Sequence, residues 1–118
     1  MQDLNKAKRE RFFRRQRRTR AKIQGTNLKP RLSVFRSLKH ISVQAIDDLS
    51  RVTLAAADDS TLKDKVTKTE LALKVGELLA KKLQEKNIET AVFDKGAYRY
   101  HGRVKALAEG LRNSGIKF

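Results

Sequence analysis

The densest cluster of functional groups in this chain is a run of charged guanidinium and ammonium groups near its start. Ten of the residues from Lys6 to Lys22 are Lys or Arg, and only Glu10 opposes them. This run holds nine of the fifteen net positive charges of the 118-residue chain. Like charges at this density repel one another and cannot build a core. A polyanion that neutralises them is the expected partner, which makes nucleic acid the leading candidate.

Arginine supplies most of this charge, and its planar fork of donors pairs with phosphate oxygens and stacks on exposed bases. Neutralising several phosphates releases counterions, so binding should depend steeply on salt. A solvated basic tail without a specific partner is the alternative. A membrane-surface segment would need an apolar helical face, which this run lacks. The candidate RNA contacts here are Lys8, Arg9, Arg11, Arg14, Arg15, Arg17, Arg18, Arg20 and Lys22.

The basic run lies in an N-terminal arm, residues 1–24, which has few apolar residues and no stripe of them at helical spacing. Arg, Lys and Gln have good helix propensity, but like charges four residues apart weaken an isolated helix. We therefore expect the arm to be disordered in the free protein and to become ordered on a phosphate surface.

A second group of candidate residues lies between Lys95 and Arg103, where both tyrosines of the chain are interleaved with cations and glycines. Aromatic rings next to Arg suit unstacked bases. The segment leads into a predicted helix, whose free N-terminal amides favour a phosphate. The alternative is that the tyrosines cap the core and the cations are only solvated. The candidate RNA contacts are Tyr98, Arg99, Tyr100, His101, Gly102 and Arg103.

A third group surrounds the first predicted hairpin, where cations at the tip can enter an RNA groove or brace an RNA loop. An ordinary polar turn is an equally simple interpretation. The candidate RNA contacts in this group are Arg31, Phe35, Arg36, Ser37, Lys39 and His40.

Catalytic and metal-binding chemistry has little support in the sequence. The chain has no cysteine, and His40 and His101 have no paired ligands at a useful spacing. Asp47, Asp48 and Asp94 lie at predicted strand ends, where a metal-dependent nuclease, using Asp47 and Asp94, can place carboxylates, although such residues are more often turn residues. No phosphate-binding glycine loop or serine nucleophile motif is present. We expect no catalytic residue, no metal site and no cofactor.

The length predicts one domain, and the residues beyond the arm suffice for a modest core. No apolar run approaches the roughly 18 residues that span a membrane, and no apolar segment of a secretory signal follows the basic start. We therefore expect a cytoplasmic protein without membrane contact, monomeric when free. Residues 1–24 are the predicted arm, and residues 25–118 are the predicted globular domain.

Periodicity predicts the elements that position these groups. Alternating apolar residues predict strands over 31–37, 41–47 and 52–57, joined by short turns into an antiparallel meander. A short strand over 90–94, after a helix, should lie parallel to a central strand. The resulting order is β-β-β-α-β-α. We predict an α+β fold with a mixed four-stranded sheet and two helices on one face, the other face being less apolar.

The predicted helices carry their own start and stop signals. Thr67 and Glu70 fit a capping box before the first helix, and Asn87 can end it in the left-handed conformation. Gly76 in its middle costs about 1 kcal/mol relative to Ala, which indicates a close approach, expected here to be to the sheet. Gly115 is the predicted end of the second helix.

At these residues the chain resembles the L-eighteen family of bacterial large-subunit ribosomal proteins. The matching stretches are KIQGTNLKPRLSVFRSLKHISVQAIDD, from Lys22 to Asp48, and VFDKGAYRYHGRVKALAEGLRNSGIKF, from Val92 to Phe118. The basic arm and the intervening helix, ELALKVGELLAKKL, also fit. The resemblance covers nearly the whole chain, and PRLSVFRS and YRYHGRVKALAE are specific in combination.

The resemblance implies a structural, non-enzymatic protein of the ribosome. It implies binding of 5S rRNA, attachment of that RNA to 23S rRNA in the central protuberance, and contact with large-subunit ribosomal protein five. Two positions depart from the family pattern: Ala97 stands where a second glycine is common, and the turn after Asp48 lacks its usual glycine. A left-handed conformation at either position would be strained.

Overall fold

The computed structural model of the protein describes residues 4–62 and 66–118, with three helices and one four-stranded sheet. Residues 1–3 of the arm and residues 63–65, in the polar segment before the second helix, lie outside the described residues. None of the described helices is long and apolar enough to cross a membrane. The elements are α1 Leu4–Arg20, β1 Arg31–Arg36, β2 Ile41–Asp47, β3 Val52–Asp58, a 3₁₀ turn Asp59–Thr61, α2 Lys68–Glu85, β4 Val92–Asp94 and α3 Gly102–Asn113.

The sheet has the strand order β3-β2-β1-β4. Strands β1 and β2 are antiparallel, with Val34 opposite Val43, and β2 and β3 are antiparallel with a register shift after Ala45. Strand β4 is parallel to β1, with Leu32 opposite Phe93. These pairings confirm both the predicted meander and the predicted parallel strand.

The core lies between the sheet and the two helices α2 and α3. Alternate residues of the central strands, such as Leu32 and Val43, are fully buried there together with Leu79 and Leu107 of the helices. On the opposite sheet face, Arg31 and Asp94 are buried, whereas Ser33 and Ser42 are half-buried and Phe35 is 61% exposed. The α+β architecture predicted from periodicity is therefore confirmed.

Helices α2 and α3 approach each other at two glycines. A Cβ atom on Gly76 would lie 2.2 Å from the carbonyl oxygen of Leu107, and one on Gly110 would lie 2.2 Å from that of Leu73. The expectation that Gly76 approaches the sheet is therefore wrong, because its close neighbour is the backbone of α3.

The helix ends follow the predicted signals. The Thr67 hydroxyl accepts a hydrogen bond from the Glu70 amide at 3.2 Å, as in a capping box. Asn87 has φ 61°, and the next amide, of Ile88, donates to the Leu83 carbonyl at 2.9 Å, which closes α2. Gly115, with φ 103°, closes α3.

The arm differs from its expectation, since residues 4–20 form helix α1. The helix contacts the domain: the Thr19 hydroxyl donates to the Gly96 carbonyl at 2.9 Å, and the rings of Phe12 and Tyr98 meet edge-on, with centroids 5.6 Å apart. Such contacts are distant in sequence, so the local pattern does not reveal them. Disorder of the arm in the free protein stays a prediction.

Candidate nucleic-acid interface

A cleft of about 510 Å³ lies where the arm, the end of β1 and the loop before α3 meet. It is lined by residues from all three groups that the sequence singled out, and none of the lining residues within the described ranges 4–62 and 66–118 is acidic. The lining residues are Phe12, Arg15, Arg36, Thr69, Ala97, Tyr98, Arg99, His101, Gly102 and Arg103.

Tyr98 joins the three segments that surround this cleft. Its hydroxyl accepts from the Arg36 amide at 3.1 Å and donates to the Arg36 carbonyl at 3.2 Å. The Arg36 guanidinium lies 5.1 Å from the centroid of the Tyr98 ring, and Phe12 of α1 packs against the same ring. Tyr98 therefore anchors the loop to β1 and also packs against Phe12 of the arm. These two contacts leave little room for a base to stack on the Tyr98 ring.

Arg103 connects the start of α3 to the turn between β1 and β2. Its Nη1 donates to the Ser37 carbonyl oxygen at 2.8 Å, whereas its Nε is buried and has no hydrogen-bond partner. The turn itself is closed by the Ser37 amide on the His40 carbonyl at 2.9 Å and by the His40 amide on the Ser37 hydroxyl at 3.1 Å. The third predicted group is thus fixed against the second.

The tip of this hairpin presents its side chains to solvent. Lys39 is exposed, as are Phe35 and the neighbouring Leu38. His40 is exposed too, with its Nδ1 lying 3.1 Å from the Asp59 carboxylate. The Asp59 carboxylate therefore orients the His40 ring through Nδ1, while the rest of the ring is accessible to solvent.

Tyr100 lies in the same loop but does not line the cleft. Its ring meets Phe93 edge-on, with centroids 6.0 Å apart, and its hydroxyl accepts from Arg112 Nη1 at 3.3 Å. It remains 39% exposed, so part of the ring is accessible on a surface beside the cleft.

The arm presents a continuous basic surface. All nine of the predicted contacts from Lys8 to Lys22 are exposed. Arg20 also donates from Nε to the Asp94 carboxylate at 3.3 Å, which ties the end of α1 to the end of β4. The remaining arginines are displayed along the helix within reach of one polyanion.

Arg31 is separated from the other predicted contacts. Its guanidinium is buried, donates twice to the Asp48 carboxylate at 3.0 Å and donates to Asp94 at 2.8 Å. The hydrogen bond from Arg31 is the main reason that the pKa of Asp48 lies below its ordinary value, and the bond to Asp48 raises the pKa of Arg31. Arg31 is a structural ion-pair partner here and does not line the cleft.

The aspartates considered for a nuclease have structural partners. Asp47 accepts from the Leu49 amide at 3.0 Å and from the Ser50 hydroxyl at 2.7 Å, as a turn residue does. Asp94 is paired with Arg31. Among the described residues, no three His, Asp or Glu side chains are grouped so as to hold a metal ion.

The two departures from the family pattern have different outcomes. Ala97 does not have a positive φ, because the left-handed residue of this loop is Gly96, with φ 63°. Arg51, in the turn after Asp48, has φ 59° and therefore occupies the conformation that favours glycine.

The comparison with known families decides the affiliation. The family described as "Ribosomal L18 of archaea, bacteria, mitoch. and chloroplast" matches residues 6–118. The chain belongs to this family. It is also similar to curated proteins named large ribosomal subunit protein uL18. The relative from Bacteroides thetaiotaomicron is 58% identical over 86% of this chain and 89% of the relative. The relative from Staphylococcus aureus, strain JH9, is 52% identical over 98% of this chain and 96% of the relative.

Membership of the L-eighteen family gives the protein a structural role in the large ribosomal subunit. It is a ribosomal RNA-binding protein and not an enzyme, and its place is the ribosome of the cytoplasm. The resemblance to the L-eighteen family that was inferred from the two sequence stretches is confirmed.

Three residues of the cleft were missed by the sequence analysis: Phe12, Thr69 and Ala97. Phe12 is an aromatic residue inside a basic run. An aromatic side chain is not expected in a fully solvated tail, so it was a signal that this part of the arm packs against something. Thr69 lies two residues after the capping Thr67, inside the predicted capping-box segment, so the sequence analysis treated it only as part of the helix start.

Proposed function

We propose that this protein binds 5S rRNA and helps to attach it to 23S rRNA in the central protuberance of the large subunit. Large-subunit ribosomal protein five is the proposed protein neighbour, and the free protein is proposed to be a monomer. The observation that carries the proposal is the cleft to which arm, hairpin and loop all contribute arginines, while no acidic residue is among the lining residues that the structure describes.

In this proposal, one kind of contact supplies affinity for RNA and another supplies specificity for one RNA. The exposed arginines of α1 neutralise phosphates of whichever RNA lies along the helix, which gives affinity that falls with salt. The hairpin tip and the loop before α3 are fixed by Arg103 and Tyr98, so they recognise the shape of one RNA. The proposed RNA contacts are the predicted residues without Arg31, whose guanidinium is occupied by Asp48 and Asp94.

The test is a titration of labelled 5S rRNA against an unrelated structured RNA of equal length, at several salt concentrations. We expect a preference for 5S rRNA that persists as salt rises. A variant with Arg14, Arg17 and Arg18 changed to Gln should bind more weakly, with a salt slope lower by about three, because each phosphate contact contributes about one.

The matched control is Lys81→Gln, which removes one exposed charge from α2 outside the cleft and the arm. It should leave both the preference and the slope nearly unchanged. Equal affinity for the two RNAs at every salt concentration would contradict specific 5S recognition. It would support a general nucleic-acid chaperone instead.

A further inference from the structure

The cleft between the arm and the loop is strongly basic. Arg15, Arg36, Arg99 and Arg103 all line it, and none of the other lining residues that the structure describes is acidic. Four guanidinium groups around one cavity of about 510 Å³ repel one another. An anion inside the cavity would remove this repulsion.

One of these guanidiniums is already oriented for a ligand. Arg103 Nη1 is held by the Ser37 carbonyl at 2.8 Å, which restricts the rotation of the group. Its Nε is buried without an acceptor among the described residues, and an unmet buried donor is energetically unfavourable. Because this Nε has almost no accessible surface, an oxygen from outside the protein would satisfy it only after a small opening of the cleft wall.

The start of α3 also favours an anion as the ligand of this cleft. His101, the residue before the helix, makes no side-chain cap, and the first turn of α3 has no acidic residue. Free amides at a helix start carry partial positive charge, and Gly102 and Arg103 bring that start to the cleft wall. The side-chain and backbone donors therefore favour the same sign of charge.

The aromatic residues of the cleft argue for a phosphate rather than a base. The Tyr98 ring is covered by Arg36 and contacts Phe12, so it does not present a free stacking face. The polar groups that remain are forked cationic donors, which match phosphate oxygens.

We propose that this cleft is a discrete phosphate-binding site, which receives one backbone phosphate of RNA between the arm and the domain. The proposal rests on the proposed RNA-binding function and adds a single defined contact to it. It separates this site from the other exposed arginines of α1, which bind phosphate without fixed geometry.

The first test uses inorganic phosphate with the full-length protein at constant ionic strength, chloride being exchanged for phosphate. Nuclear magnetic resonance follows the Arg Nε–H signals and the Gly102 amide. We expect saturable shifts at Arg103 and Gly102, whereas Arg17 and Arg18 should shift weakly and without saturation. Equal shifts at all arginines, or no saturation at Arg103, would overturn the proposal.

Two substitutions in the cleft, with one control outside it, test whether phosphate binding depends on the lining arginines. Arg99→Gln changes an exposed lining residue and should weaken phosphate binding about tenfold, the effect of one charge-assisted hydrogen bond. Arg103→Lys keeps the charge but loses the forked Nε donor, and it should weaken binding similarly. Lys81→Gln should bind phosphate as the unchanged protein does. Unchanged binding in both cleft variants would refute the site.

The last arm of the experiment distinguishes RNA phosphate from free phosphate. In the complex with 5S rRNA, the Arg103 signal should no longer respond to added inorganic phosphate, because an RNA phosphate occupies the cleft. Continued response would overturn the assignment to RNA. A saturable phosphate site without 5S preference would instead defeat the proposed function while leaving the site intact, so the two failures are distinguishable.

Discussion

The guanidinium of Arg31 donates to the carboxylate of Asp94 at 2.8 Å, across the parallel pair of strands β1 and β4. Asp94 is fully buried and also accepts from the Gly96 amide at 2.8 Å, so it begins the loop that leads to α3. Arg20 of α1 approaches the same carboxylate at 3.3 Å. One buried ion pair thus joins the sheet, the loop and the arm, which are the three parts that form the cleft.

Removing Arg31 should destabilise the protein strongly. Arg31→Gln leaves the buried Asp94 carboxylate without its main partner, and breaking a buried pair in this way costs about 3–5 kcal/mol. Urea denaturation measures the loss in unfolding free energy. Arg14→Gln, on the exposed side of α1, should change it by no more than about 0.5 kcal/mol. Equal losses in the two variants would show that the Arg31 pair has no special structural role.

The same guanidinium makes stability depend on acid. Hydrogen bonds from Arg31 and the Gly25 amide hold the pKa of Asp48 below its ordinary value of 3.8. A folded-state pKa below the unfolded value means that the stabilisation is fully present above pH 4. It is lost as the pH falls through the folded pKa. Asp48→Asn should therefore be less stable at pH 7 and lose less stability between pH 4 and pH 2, measured by urea denaturation at each pH. An unchanged acid dependence would count against this pair.

Gly76→Ala should be destabilising although alanine is favoured over glycine in a helix interior by about 1 kcal/mol. The new methyl group would lie 2.2 Å from the Leu107 carbonyl oxygen, so α2 and α3 must separate, which costs about 1–3 kcal/mol. Thermal unfolding measures the loss. Gly102→Ala is the comparison: its Cβ position has no described atom within 4 Å beyond the adjoining residues and the nearby helix backbone, so the main cost is the strain of φ 56°. A more stable Gly76→Ala protein would contradict the close approach.

Arg51→Gly should stabilise the protein by about 0.5–1 kcal/mol. A non-glycine residue in the left-handed region costs about 1–2 kcal/mol, and the greater chain entropy of glycine offsets part of the gain. Asn87→Gly is the matched control, because asparagine tolerates the φ of 61° that it has here and should gain little. Chemical denaturation compares the two. Equal effects at the two positions would mean that the turn is not strained at Arg51.

The sequence predicted what depends on neighbouring residues and missed what depends on distant ones. Strand alternation, the Thr67 cap and the left-handed Asn87 are local signals, and each was confirmed. The partners of Arg31 lie 17 and 63 residues away, and the backbone beside Gly76 belongs to another helix, so neither set of contacts has a local signature. For the site, charge density located all three segments, but the role of Phe12 depends on its contact with Tyr98.

Deleting residues 1–24 should leave the fold of residues 25–118 intact. All of the buried hydrophobic residues that the structure describes lie beyond residue 24, and α1 contacts the domain through a few partly exposed groups. We expect a cooperative thermal transition in the deletion variant, with a loss of no more than about 1–2 kcal/mol. Circular dichroism during heating tests this, and a broad, non-cooperative melt would show that the arm is part of the folding unit.

The matching measurement concerns the arm by itself. A peptide of residues 1–24 should lack helical circular dichroism, because an isolated helix of this length is marginal and like charges weaken it further. Adding 5S rRNA should induce the helical signal, since phosphates remove the repulsion. A stable helix in the peptide alone would contradict disorder of the free arm, and α1 would then be preformed. Phe12→Ala in the full-length protein separates the two causes of order: it removes the packing on Tyr98 and leaves every charge in place.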